Sequence, residues 1–199
     1  MKNDTILVGV VALVAGLIIG WMVGQKSSEP VPAAVTQGPA PTAGPAPAAG
    51  PVSTANFQQK VNELKAIVAR EPQNRQAWVA LGNEYFDADQ PMESIEAYQK
   101  ALDINAKDPN VLTDQGVMFR RLGWFDRAID NFTRAYQADP GHATSLYNLG
   151  ITYRYDIQDF AKAEEAWTKF LAANPNGPGS DRVRQELEFF KTHPPLPKP

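Results

Sequence analysis

The 199-residue sequence contains no cysteine, which excludes a disulfide framework, a thiolate metal site and lipid attachment through a cysteine. Only two histidines occur, His142 and His193, so no histidine cluster is available for a metal. No excess of positive charge is present either. The formal net charge is −3, which leaves no basic footprint for nucleic acid. No nucleophile motif, phosphate-binding loop or metal-ligand spacing appears, and adjacent acids such as Glu164 and Glu165 fall on a solvated helix face. The sequence is therefore read as that of a non-enzyme without cofactor or metal.

Long apolar runs are also scarce, with one exception. Ile6 to Val23 is a stretch of 18 residues without a charge, flanked by Asp4 and Lys26. As a helix it is about 27 Å long, close to the roughly 30 Å of a bilayer core. A signal peptide has a shorter apolar segment and a small-x-small site directly after it, so the run reads as an uncleaved anchor spanning 1–26. Within it Gly16, Gly20 and Gly24 recur every four residues on one helix face, the spacing at which membrane helices pair; a homodimer through the anchor is the expectation, against glycine simply being common in such helices. Lys2 and the amino terminus against Lys26 tip the orientation toward the N-terminus inside. The folded part is then expected outside the cytoplasmic membrane of a bacterium, in the periplasm of a Gram-negative one.

Residues 27–54 are nearly all Pro, Ala, Gly, Ser, Thr and Val. Too few large apolar side chains are present to offset ordering entropy, so the segment reads as an extended linker of up to roughly 80 Å. The folded domain is assigned to 55–192, followed by a Pro-rich tail, 193–199, in which Pro194-x-x-Pro197 has the form of a polyproline ligand.

What organises that domain is a recurrence. Gly82, Gly116 and Gly150 lie 34 residues apart and open the same pattern. Trp78-x-x-Leu81-Gly82-x-x-Tyr85 is followed by Ala97, Tyr98, Ala101 and Pro109. The second copy runs Leu112, Gln115, Gly116, Phe119, Ala128, Phe132, Ala135, Pro140, and the third Leu146, Leu149, Gly150, Tyr153, Ala163, Trp167, Phe170, Pro175. The glycines are expected to face Ser94, Ala128 and Ala163 on a second helix, with Tyr98, Phe132 and Trp167 filling the flanks. Helices are expected near 75–88, 91–104, 109–121, 125–138, 143–156 and 159–173. Pro109, Pro140 and Pro175 separate the hairpins. Phe57 to Arg70 reads as an N-terminal capping helix and Asp181 to Lys191 as a final one, with Ser180 as its N-cap.

This pattern resembles the tetratricopeptide repeat, with repeats at about 75–108, 109–142 and 143–177. The resemblance implies an all-α, right-handed superhelix of three hairpins plus capping helices. The copies depart from it in three places. Gln115 stands where the other repeats have Leu, an extra residue lies near Asp156 to Asp159, and Phe170 replaces the small residue that admits a following repeat. Phe170 is expected to pack on the final helix instead.

The resemblance further implies that the second, fifth, ninth, twelfth and thirteenth residues of each first helix line a concave groove for a protein or peptide partner. Those positions are Gln76, Val79, Asn83, Phe86 and Asp87; Asn110, Thr113, Val117, Arg120 and Arg121; and Thr144, Tyr147, Ile151, Arg154 and Tyr155, with Asn148 beside them. Arg120 and Arg154 share a slot one repeat apart. Displayed there, they would suit an acidic segment with an aromatic anchor; the alternative is that they pair with Asp87, Asp114 or Asp156. The two-carboxylate clamp by which some members hold chaperone C-termini keeps only Asn83, since Val79, Asp114 and Thr144 replace its other residues. The expected role is a membrane-tethered scaffold assisting assembly of an envelope complex, or else a self-assembling structural protein.

Overall fold

The computed structural model describes residues 54–193. The expected anchor with Gly16, Gly20 and Gly24, the linker and the Pro-rich tail beyond His193 lie outside the described residues. Among the described residues, no helix is long and apolar enough to cross a membrane.

Those residues form eight α-helices and no strand. They are α1 (Thr54–Arg70), α2 (Arg75–Asp87), α3 (Pro91–Ile104), α4 (Pro109–Arg121), α5 (Phe125–Ala138), α6 (Ala143–Ile151), α7 (Phe160–Ala173) and α8 (Ser180–Thr192). A six-residue π-helix, Thr152–Ile157, continues α6. Local chemistry sets the starts of four of the eight helices. Asn74 accepts a hydrogen bond from the Ala77 N–H (3.1 Å) ahead of α2. Asp108 accepts from Asn110 and Val111 (3.0 and 3.2 Å) ahead of α4, and Asp159 accepts from Lys162 (3.2 Å) ahead of α7. Pro91 and Pro109 occupy the first helical turn, where a missing N–H costs nothing.

Successive pairs α2/α3, α4/α5 and α6/α7 form three antiparallel hairpins, each packed on the next, with α1 against α2 and α8 against α7. The recurring glycines set the closeness of each hairpin. A Cβ placed on Gly82 would lie 2.5 Å from the Tyr98 ring, on Gly116 2.6 Å from Phe132, and on Gly150 2.0 Å from the Trp167 Nε1. The glycines thus make room for the aromatics themselves, a refinement of the expectation that they face Ser94, Ala128 and Ala163. Those three are fully buried nearby, and the Ser94 hydroxyl donates to the Gly82 carbonyl (3.0 Å). Full burial of each such ring contributes about 2–3 kcal/mol.

Gln115 does not loosen its hairpin. It is buried and donates to the Ile95 carbonyl (3.1 Å) while accepting from Asn131 (2.7 Å), so one amide ties α3, α4 and α5 together. At the C-terminal end Phe170 packs within the same core as Val183 and Phe190 of α8, as expected, and Trp167 stacks on Phe190 with centroids 5.9 Å apart. Ser180 departs from its expected role. It is the first residue of α8 rather than its cap, which is Gly179 in the left-handed region (φ 85°), and its hydroxyl instead donates to the Asn174 carbonyl (2.5 Å). The apolar face of α1 (Val61, Val68) covers Leu81 and Tyr85, finishing the other end.

Candidate peptide-binding groove

The first helices α2, α4 and α6 contact one another directly along the array. This contact buries four of the residues expected to line the groove: Thr113, Val117, Asn148 and Ile151 form its floor and offer almost no surface. Asn83 is exposed and accepts a hydrogen bond from the buried Tyr98 hydroxyl (2.8 Å). Burial, reinforced by the nearby Asp114 charge, drives the Tyr98 phenol well above its ordinary range, so it keeps the proton that it donates to Asn83. Phe86 and Tyr147 are half-buried; Phe86 lies under the Arg121 guanidinium (4.9 Å), and Tyr147 rests on Phe170 (5.5 Å).

The arginines are not free. Arg120 makes a two-pronged pair with Asp156 of the next hairpin (2.5 and 3.2 Å), with side-chain exposures of only 15% and 14%. Arg121 pairs with Asp89 of the preceding one (2.5 Å). Arg154 faces Glu186 of α8 (3.5 Å) and lies 4.8–5.5 Å from the rings of Tyr155, Phe160, Phe189 and Phe190. Tyr155 donates its hydroxyl to the same Glu186, and burial together with that carboxylate pushes its pKa up to about 12. Asn110, also at a groove position, is tied to His142 (3.1 Å), whose pKa burial depresses.

The third hairpin ends its first helix differently, because its turn carries an extra residue. In the first two hairpins the first helix stops in the same way. The Gln90 N–H donates to the Tyr85 carbonyl around Asp89 (φ 54°), and the Trp124 N–H donates to the Phe119 carbonyl around Gly123 (φ 74°), both 2.9 Å. In the third, Asp159 donates to Tyr153 (2.8 Å) around Gln158 (φ 59°), with one more residue enclosed. The π-helix takes up that residue. Counted forward from Gly150, Arg154 matches Arg120; counted back from the left-handed residue, Tyr155 matches Arg120 and Asp156 matches Arg121. Arg120 reaches forward to Asp156 and Arg154 reaches forward to Glu186, so the forward count describes the two arginines, whereas Asp156, in the slot of Arg121, follows the backward count and pairs with the preceding hairpin.

Two groups escaped the sequence reading as groove features. Glu186 holds both Arg154 and Tyr155, but no periodicity links α8 to the repeats. Asp114, noted as a departure from the chaperone clamp and as a candidate partner for the arginines, has no hydrogen-bond or ion-pair partner among the described residues, although it is largely shielded from water. Burial, then Asp108 and Asp87, push its pKa up to about 6.

Comparison with known proteins fits this geometry. Two tetratricopeptide repeat family models match, one over residues 76–108 and one over 113–178. The cytochrome c-type biogenesis protein CycH of Pseudomonas aeruginosa is 24% identical over 155 residues, covering 71% of this chain and 37% of CycH. The chain spans about a third of the length of the curated relatives it matches first. Among solved structures, MamA superposes with a TM-score of 0.64 at 23% identity, covering 69% of this chain and 79% of MamA. The first repeat domain of Spaghetti, bound to the HSP90 peptide SRMEEVD, superposes with a TM-score of 0.54 at 22% identity, covering 60% of this chain and 92% of that one. The helical array of this chain is built of tetratricopeptide repeats.

Proposed function

Taking those repeats as the premise, we propose that the chain is a membrane-tethered scaffold that binds a protein segment along α2, α4 and α6 and assists assembly of an envelope complex. The repeats stand on the periplasmic side of a bacterial inner membrane, held by the N-terminal helix. The observation that carries the binding role is the groove itself: half-buried Phe86 and Tyr147 provide apolar area beside exposed Asn83 and Asp87, with the floor closed beneath them. Similarity to CycH, a cytochrome c-type biogenesis protein, supports the assembly context, and the apolar run Ile6 to Val23 supports the tether. An acidic segment, which freely displayed Arg120 and Arg154 would favour, is not retained, because both guanidinium groups are engaged within the chain.

Photo-crosslinking in native membranes tests this reading. A crosslinker at Phe86 or Tyr147 is expected to trap a discrete partner, and one at Glu164, on the solvated outer helix, is not. Equal yields from both positions would end the groove reading.

A second reading has its own observation. Met92, Trp124 and Ile157 are exposed apolar side chains, and Trp124 and Ile157 share one open pocket at the inner turns. They suit self-association through the turn edge. Sedimentation of the full chain with Trp124→Ser separates the two, because loss of an oligomer would shift weight to the self-assembling form.

A further inference from the structure

We propose that the segment received by this groove is cationic: an extended stretch presenting Lys or Arg to Asp87 and Asp114, with an aromatic or aliphatic side chain against Phe86. The inference rests on the groove reading above and specifies its partner.

The argument begins with the balance of charge. Each arginine on the groove side is already paired, Arg120 with Asp156, Arg121 with Asp89 and Arg154 with Glu186. Asp108 is likewise engaged by Arg75 (2.5 Å). What is left over between the first and second hairpins is negative. Asp87 is exposed and Asp114 half-buried, and neither has a partner among the described residues. Asp87 is also the last residue of α2, which has no basic side chain in its last turn. Its carboxylate therefore adds to the negative end of the helix dipole, a place that favours cations.

A separate observation concerns polar atoms. Thr113 and Asn148 are each only 2% exposed, and the Thr113 hydroxyl oxygen and the Asn148 side-chain carbonyl have no hydrogen-bond partner. Thr113 adjoins Asp114 on α4. Asn148 stands two residues before Gly150 as Asp114 stands two before Gly116, which puts it on the groove side of α6 one repeat further on. Carboxylate and amide carbonyl are acceptors without donors. The Thr113 and Asn148 oxygens lie in the floor beneath the surface and are left uncompensated there, so together with the carboxylates of Asp87 and Asp114 above them they bias this face toward a ligand rich in N–H donors, such as an ammonium or guanidinium group.

The same slots explain why the peptide held by Spaghetti is a poor guide. Its SRMEEVD sequence carries two Glu and one Asp. Here such a chain would meet Asp87 and Asp114, and like charges brought together across an interface oppose binding.

The test uses the full-length chain in detergent micelles and three fluorescent decapeptides that differ only in carrying Lys, Gln or Glu at three alternate positions beside one Phe. By fluorescence anisotropy the Lys peptide is expected to bind at least about tenfold more tightly than the Gln peptide, a difference of about 1.4 kcal/mol, with the Glu peptide weakest. Asp87→Asn with Asp114→Asn should remove the preference, whereas Glu164→Gln with Glu165→Gln, the same change of net charge on the outer face, should leave it. Phe86→Ala should weaken all peptides alike. Equal binding of the Lys and Glu peptides, or a preference that survives the double Asp variant or is lost equally in the Glu variant, overturns the cationic assignment and leaves the groove standing. Absence of binding by all three peptides, or binding indifferent to Phe86→Ala, overturns the groove reading with it.

Discussion

The first two hairpins and the third obey the same glycine register yet present different chemistry. In the first two, the first helix ends in a short left-handed stop; Asp87 is exposed there, half-buried Phe86 and Asp114 remain on the groove side, and none of the described residues pairs with Asp87 or Asp114. In the third, the π-helix lengthens that stop, and Arg154 and Tyr155 turn to Glu186 and the aromatic cluster of α8. One part of the array remains open; the other is closed on its own cap. A repeat pattern therefore fixes which helices pair, whereas side-chain direction past the glycine depends on how each turn is spelled.

The largest effect that probes this contrast is steric. Gly150→Ala places a methyl group 2.0 Å from the Trp167 Nε1, and that indole is buried and donates to the Tyr147 carbonyl (3.2 Å). The ring has nowhere to move, so a loss of about 3 kcal/mol is expected in urea denaturation. Gly82→Ala, 2.5 Å from Tyr98, should cost less, and equal losses would remove the distinction between the hairpins.

An intermediate effect compares Asp114 with Asn148 in the matching slot. A carboxyl whose pKa is higher in the folded chain than the unfolded value of 3.8 holds its proton longer when folded. Its contribution therefore falls as pH rises from about 4 through about 6, and above that the full destabilisation is present. Asp114→Asn should accordingly raise stability by about 1–2 kcal/mol at pH 7.5 and by almost nothing at pH 4. Denaturant midpoints at the two pH values check it. A gain at pH 4 equal to that at pH 7.5 would mean that the charge is not the cause.

The smallest effect concerns the stops. Gly123→Gln should cost about 1 kcal/mol and Gln158→Gly should gain about 0.5–1 kcal/mol, since only glycine adopts the left-handed conformation freely. Thermal melts of the two variants should move in opposite directions. If Gln158→Gly destabilises, the π-helix depends on that side chain.

These contrasts also mark how far the sequence was legible. The three glycines, their aromatic partners and the helix-breaking prolines carried the hairpins, because steric fit and backbone restriction are local. Phe170 carried the cap for the same reason, since a large ring needs a cover. The state of the arginines was only half legible. Asp156 was one of three candidate partners for Arg120, and the choice follows from a turn whose extra residue was visible but whose geometry was not. Glu186 lay beyond reach of any spacing argument, being 32 residues from Arg154 on a helix outside the period. Ser180 had the right identity for a cap, but Gly179 took that position with a conformation open to it and not to serine.

The single added residue before Asp159 has a consequence for the charge at the groove. Asp156, carried on that lengthened turn, pairs with Arg120, and Glu186 pairs with Arg154, which leaves Asp87 and Asp114 as the unpaired charges at the groove among the described residues. The sign a docking segment meets at close range is thus set by which charges are paired, while the long-range field keeps the sign of the net charge of −3.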